Sequence, residues 1–291
     1  MNRTAIVYVN KISNQTSLNP YFLPIIEKKS IDIFIENLMR NDFKKIWLLD
    51  KDEVLQNYNF PDTFIRVKSV KDIQLVDDYV FLFEANNLGI TEELVKNAET
   101  EIENTTKNCL LFLSQVQQND GYARIIRDSK RKIISFSTEN VNQPYSNQPF
   151  EIFTHTLFLN KEVAAEVIDK SILQTAKNLV EYNIDFKEFY IPGQLALHIL
   201  HPGQVPKIFQ SFQSFKILEF LRKGVIFFNP LLVVIDRDVV IEEGAIIYPF
   251  VTLLGKTVIK KNAKIESNCV LKNVEVGEEE VVKFNTVKIN E

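Results

Sequence analysis

An aliphatic residue recurs at every sixth position near the C-terminus of this chain: Ile235, Ile241, Ile247, Leu253, Ile259, Ile265 and Leu271. Two places before each stands a small or β-branched residue: Val233, Val239, Ala245, Val251, Thr257, Ala263 and Cys269. A short fixed period marks a solenoid whose unit is one face of a coil. The aliphatic residue points inward, and the small residue fills the corner beside it. Three such hexapeptides make one triangular coil of a left-handed β-helix. A meander of alternating strands has period two and would not hold one residue class at every sixth place. After Leu271 the period breaks, and Val276 and Val282 continue it irregularly, so about three coils are expected.

The remaining length, up to 291 residues in total, suffices for a second domain with its own core. Charge is 25% of residues and the net charge is −4, which gives no general attraction to nucleic acid or an anionic membrane. No apolar run approaches 18 residues, so no transmembrane helix is expected. Met1–Val9 lacks a small-residue cleavage site and reads as a first strand rather than a signal peptide. Cys109 and Cys269 lie far apart, and a reduced, cytoplasmic protein is the expectation.

Between residues 1 and about 204, strand-like and helix-like stretches alternate. Ala5–Val9, Lys45–Leu49, Tyr79–Phe83 and Cys109–Leu113 are short apolar runs of the kind that form buried parallel strands. Ser30–Arg40 and Ile90–Glu101 read as helices between them, so a doubly wound α/β sheet with its ligand site at the carboxyl ends of the strands is predicted. Arg124–Arg127 and Lys132–Phe136 read as a hairpin, Glu151–Leu159 as a strand and Glu162–Tyr182 as one helix. Pro206–Lys223 carries a stripe of Ile208, Phe209, Phe212, Phe215, Leu218 and Leu221, an amphipathic helix expected to pack on the first domain. The expected domains are residues 1–204, a linking helix over 205–228 and the β-helix over 229–291.

Two segments carry a resemblance. Gly121-Tyr122-Ala123-Arg124-Ile125-Ile126-Arg127-Asp128 resembles the G-Y-G-R-I-I/V-R-D hairpin of the bifunctional UDP-N-acetylglucosamine pyrophosphorylase/glucosamine-1-phosphate acetyltransferase family. Leu221–Val287, with KGVIFFNP, RDVVIEEG and SNCVLKNVEVGEE, is similar to that family's entry into its β-helix. The resemblance implies a Rossmann-like, glycosyltransferase-A-like nucleotidyltransferase domain, a linking helix and a short left-handed β-helix. It places Gly121, Tyr122, Ala123, Arg124 and Glu139 at the sugar, and a UDP-sugar or nucleotide as the partner.

The catalytic parts of that family match poorly. Its glycine-rich first loop lets backbone N–H groups approach a triphosphate. Here Val7–Thr16 contains no glycine, and Leu23-Pro24 is followed by Ile25 where the family has lysine. Lys11, Lys28 and Lys29 are nearby cations at other positions. The family's aspartate for Mg²⁺ has no counterpart in Phe81-Leu82-Phe83-Glu84-Ala85-Asn86-Asn87, where Glu84 is displaced by a residue. The family's second ligand, an asparagine, falls at Gln204-Val205-Pro206. Its E-I-N-T-G strand appears as Glu151-Ile152-Phe153-Thr154-His155, whose bulky pair is expected to fill a sugar pocket. None of His155, His198 and His201 lies in the solenoid, so acetyl transfer is not expected of these residues. His198 and His201, three apart, could share a helical face, and a structural role is expected for them.

The reading that follows is a degenerate sugar-nucleotidyltransferase relative that binds a sugar nucleotide or a partner without turnover, with no metal or other cofactor and no identified catalytic residue. The alternative is an active sugar-1-phosphate uridylyltransferase using Mg²⁺, with Lys11, Arg124 and Glu84 in place of missing groups. A structural scaffold is the third reading, and either a monomer or a homo-oligomer held by helix and solenoid together is expected.

Overall fold

The computed structural model describes residues 3–11, 18–117, 121–138, 149–200 and 202–291. The chain divides into two compact units, residues 1–23 with 29–204, and residues 24–28 with 205–291.

In chain order the strands are β1 (Arg3–Tyr8), β2 (Pro24–Ile25), β3 (Lys28–Lys29), β4 (Lys45–Leu49), β5 (Phe64–Val67), β6 (Tyr79–Glu84), β7 (Cys109–Val116), β8 (Ala123–Arg127), β9 (Ile133–Ser137), β10 (Phe150–Asn160) and β11 (Lys187–Ile191). The α-helices are α1 (Ser30–Met39), α2 (Glu92–Glu103), α3 (Lys161–Val167), α4 (Ile172–Glu181) and α5 (Val205–Arg222).

The first unit is built on one sheet in the order β11-β7-β10-β6-β1-β4-β5, with β8 on β10 and β9 on β8. β1 runs parallel to both β4 and β6, while β10 runs antiparallel to β6 and β7. The sheet is therefore mixed, not parallel throughout. Strand direction was illegible because β10 is buried on both faces and shows no alternation that would betray it. From β1 the chain runs outward to β4 and β5, then returns to β6 on the other side of β1. The carboxyl ends of β1 and β6 thus flank the switch point at which open α/β sheets bind ligands.

The hairpin β8–β9 forms as expected. Arg127 fastens it: Nε and Nη2 donate to Glu151 and Nη1 and Nη2 to Glu188, each at 2.7 Å. The single helix expected over Glu162–Tyr182 is two, α3 and α4. Asp169 N–H donates to Thr175 Oγ1 at 3.0 Å, and Ser171 Oγ caps α4 by accepting from Gln174 N–H at 3.2 Å. These side-chain bonds satisfy the backbone where helix continuation would otherwise do so.

The second unit confirms the six-residue register. All seven aliphatic residues from Ile235 to Leu271 are at most 2% exposed, and all seven corner residues at most 3%. Parallel ladders stack Ile226–Phe227 on Ile246–Ile247, then on Lys264–Ile265 and Val281–Val282. The coil thus begins at Ile226, before the expected Asn229, because Phe227 already occupies the inward row. Asn262, Asn268, Asn273 and Asn285 turn corners with φ between 53° and 61°, a left-handed conformation asparagine tolerates.

The stripe expected on Pro206–Lys223 coincides with the buried face only at Ile208. Ile208, Gln213, Ile217 and Phe220 are buried, whereas Phe215, Leu218 and Leu221 are 43%, 50% and 44% exposed. The reason is the open strand edge at the start of the solenoid. Gln213 accepts from Ile235 N–H at 2.9 Å and donates to Ile235 C=O at 2.7 Å, as a neighbouring strand would. Lys216 Nζ donates to Val239 C=O at 3.3 Å. Helix α5 therefore caps the first coil, and Ile217 and Phe220 join the solenoid core. Residues 24–28 add two ion pairs within this unit, Lys28–Asp238 at 2.8 Å and Glu27–Lys272 at 2.6 Å.

Candidate ligand site

Five side chains converge at the carboxyl ends of the central strands. Glu84 ends β6, and Asn10 follows β1. Asn10 Nδ2 donates to Glu84 Oε1 at 3.1 Å. Tyr21 clamps the Asn10 backbone, donating to its C=O at 2.9 Å and accepting from its N–H at 3.1 Å. His155 Nδ1 lies 3.0 Å from Glu84 Oε1. The contact pairs a carboxylate with an imidazole across 3.0 Å. His198, 3% exposed, places its ring 5.7 Å from that of His155.

His155 sits at a bulge between Phe153 and Leu157 with φ of 49°. This is the place where the resembling family carries glycine. The backbone here is left-handed, and an imidazole stands on it at a cost of about 1–2 kcal/mol. Its ring stacks on Phe153 at 5.2 Å. Phe153 is fully buried in the core of the unit, so it fills space as expected, while His155 faces the carboxylate.

The electrostatics follow from this crowding. Burial by itself pushes the Glu84 pKa up, but the His155 charge and contact outweigh it and hold Glu84 below its ordinary value. Burial likewise works against the charged form of His155, and Glu84 outweighs it, so the His155 pKa is raised. His198 has no such carboxylate contact. Burial, with the His155 charge beside it, lowers its pKa to about 3. The Tyr21 hydroxyl is pushed upward by burial and by Glu84.

Of the residues placed at the sugar by resemblance, Tyr122 meets this cluster directly, its ring 5.2 Å from that of His198. Gly121 is exposed with φ of 97°. Tyr122 is buried, and its hydroxyl donates to Ala196 C=O and accepts from His198 N–H at 3.0 Å. Ala123 is buried and pairs with Phe153. The Arg124 guanidinium stands over the Phe150 ring at 4.8 Å. Glu139 and His201 lie outside the described residues. His198 is in an isolated bridge with Asn87 rather than on a helix, which removes its half of the shared helical face that the spacing suggested. Lys11 is exposed, Lys28 pairs with Asp238, and Lys29 stands over Phe22 at 5.6 Å.

Among the described residues no group of three His, Cys, Asp or Glu side chains is arranged to hold a metal ion. Mg²⁺ demands several hard oxygen donors. Here one carboxylate is engaged by an imidazole and an amide, so the residues do not fit that ion. The Glu84–His155–His198 grouping was not foreseen, because its members come from positions 84, 155 and 198 and only tertiary structure joins them.

Residues 238–273 match the family model for bacterial transferase hexapeptide (six repeats). The bifunctional protein GlmU of Carboxydothermus hydrogenoformans is 24% identical over 213 residues, 66% of this chain and 44% of that protein. GlmU of a Hydrogenobaculum species is 24% identical over 216 residues, 68% of this chain and 47% of that protein. The chain is a divergent relative of this bifunctional GlmU family. It spans less than half the length of those two relatives. Among solved structures, CMP:2-keto-3-deoxy-manno-octonic acid synthetase complexed with CTP matches at a TM-score of 0.50 and 10% identity, over 73% of this chain and 99% of that one. HddC from Yersinia pseudotuberculosis complexed with GMP-PN matches at 0.52 and 13%, over 73% and 100%. These likenesses establish a nucleotidyltransferase-like fold for the first unit. No helix among the described residues is long and apolar enough to cross a membrane.

Proposed function

We propose that this chain binds a nucleotide or nucleotide sugar at the carboxyl ends of β1 and β6 without turning it over. The observation that carries the reading is the commitment of Glu84 to His155 and Asn10. In-line phosphoryl chemistry relies on positioned charge that neutralises the phosphates. The glycine-free stretch after β1 and the engaged carboxylate leave little of that arrangement, while the strand order retains the kind of switch point at which open α/β sheets bind ligands. Gly121, Tyr122, Ala123, Arg124 and Glu139 remain the proposed sugar-side residues.

The alternative, an active sugar-1-phosphate uridylyltransferase, draws support from the same cluster, since perturbed titratable groups gather at functional sites. Two measurements separate the readings. UTP or UDP-N-acetylglucosamine at 100 times its Kd is expected to add about 2.7 kcal/mol of stability in a thermal-shift panel. Pyrophosphate release from UTP and N-acetylglucosamine-1-phosphate with Mg²⁺ is expected to stay at background. Turnover on the order of 1 per second would replace the binding reading by the catalytic one. No shift with any nucleotide or sugar nucleotide would remove both.

Self-association is proposed on a separate ground. Phe228, Leu231 and Phe250 on the first coils are 62%, 90% and 58% exposed, and Phe215 on α5 is 43% exposed. Large exposed apolar residues in one unit mark an interaction surface. Light scattering is expected to give an oligomer mass, and a monomer overturns this part.

A further inference from the structure

Residues 193–200 form a strap held across the ends of the central strands, with Ala196 through Ile199 each at most 3% exposed. Backbone bonds fix it to the loop after β6: Leu88 N–H donates to Leu197 C=O at 2.7 Å, and Ile199 N–H to Asn86 C=O at 3.1 Å. Asn86 Nδ2 donates to Ile199 C=O at 3.1 Å. Tyr122 fixes it from the other side, through Ala196 C=O and His198 N–H. The fit is close enough that a Cβ on Gly89 would fall 1.8 Å from Leu195 O.

One side chain in this strap is poorly provided for. Both ring nitrogens of His198 are buried without a hydrogen-bond partner among the described residues. Buried polar atoms of that kind are uncommon and call for a physical explanation. From β6 the ring faces Glu84, from β10 His155, and from the turn before β8 the Tyr122 ring, edge-on at 5.2 Å. Glu84 is already engaged by His155, and His155 sets a like charge beside His198, its ring 5.7 Å away. A second proton here would create a buried cation with no hydrogen-bond acceptor among the described residues, and lifting the strap would carry it to water.

We propose that the 195–200 strap is a proton-released latch: protonation of His198 detaches it from the β6 loop and from Tyr122. The step is uptake of one solvent proton on an imidazole nitrogen, with no bond made or broken otherwise. It does not depend on which ligand the neighbouring site takes.

The direction follows from linkage. His198 is neutral while the strap is closed and titrates near its ordinary 6.5 once open. Its contribution to the closed state is fully present above about pH 6.5 and is lost as pH falls from there toward about 3. The opening equilibrium should therefore rise about tenfold per pH unit below about 6.5.

Hydrogen exchange on the full chain tests this, with intrinsic rates corrected at each pH from 7 to 4.5. The amides of Leu88 and Ile199 are expected to lose protection about tenfold per unit, while amides of the solenoid keep theirs. His198→Phe retains a ring against Tyr122 and should flatten the dependence. Gly89→Ala should open the strap at every pH. Parallel loss of protection in the wild-type chain and His198→Phe, or no pH dependence in the wild type, overturns the latch. Should His198→Phe fail to fold, histidine NMR on the wild-type chain decides it. A His198 ring that stays neutral at pH 5 in the closed form supports the latch, and one that titrates near 6.5 with the strap still protected overturns it.

Discussion

The solenoid core and the strand-end cluster of the α/β unit both lie largely out of water and are held by opposite physics. In the solenoid the inward positions from Ile235 to Leu271 all take aliphatic residues, such as Ile247 between Phe227 and Ile265, and each layer repeats its neighbour's solution. At the ends of β1, β6 and β10 the interior instead holds a carboxylate, two imidazoles and two amides. The first arrangement gains stability from apolar burial summed over identical units. The second must satisfy each polar atom individually, and at His198 it does not. Redundancy makes the solenoid tolerant of pH and intolerant of charge. The cluster is tolerant of charge only within a limited pH range.

The comparison breaks most readily inside the solenoid. Ile247→Asp places a carboxylate where exposure is zero and no partner exists, and should cost several kcal/mol or unravel the adjoining coils. A thermal midpoint within a degree or two of wild type would mean that the inward register is misassigned.

The next largest effect is expected at the cluster. Glu84→Gln leaves His155 without its charge partner and should cost about 3 kcal/mol near pH 5.5, on the scale of breaking a buried pair. The signs define the window. Glu84, with a lowered pKa, contributes above about its ordinary 4.5 and loses that contribution as pH falls through its folded value. His155, with a raised pKa, contributes fully below 6.5 and loses its part as pH rises through its folded value. Denaturant midpoints of the variant and wild type should therefore differ most between about pH 4.5 and 6.5. A difference independent of pH would show that the pair is not ionised.

Gln213→Ala tests the join between α5 and the first coil. It leaves the Ile235 N–H and C=O without the partners Gln213 supplies, for about 1–3 kcal/mol. Chemical denaturation should show it, and a neutral result would assign that edge to water. The smallest change is expected for Lys260→Asp. Its partner Glu242 lies 3.4 Å away on a solvated face, and exposed pairs contribute about 0–1 kcal/mol. If its thermal midpoint falls as far as that of Ile247→Asp, the inside and outside of the solenoid have been exchanged.

Legibility in the sequence tracks the same divide. Ile235 to Leu271 could be placed inward one by one, because a solenoid's contacts lie a fixed number of residues apart. The strands Lys45–Leu49 and Tyr79–Glu84 were legible as buried runs, and the hairpin over 123–137 by its turn. The direction of β10 was not, since pairing partners are remote in sequence. Nor was the buried face of α5, which hydrogen bonding by Gln213 decided over the more apolar stripe. The segment Gly121–Arg124 was singled out as sugar-binding, while the role of Tyr122 in holding residues 196–198 emerged only from the fold.

What the sequence by itself determined, then, is the architecture: a six-residue period that admits only a stacked coil, and alternating apolar runs that admit a layered sheet. Those are statements about local spacing, and spacing is written in the chain. Tertiary structure alone decided the chemistry of the strand ends, by bringing residues 84, 155 and 198 into one buried space. Ionisation there depends on which charges stand within a few ångströms and how much water is excluded, and neither quantity is a property of any stretch of sequence.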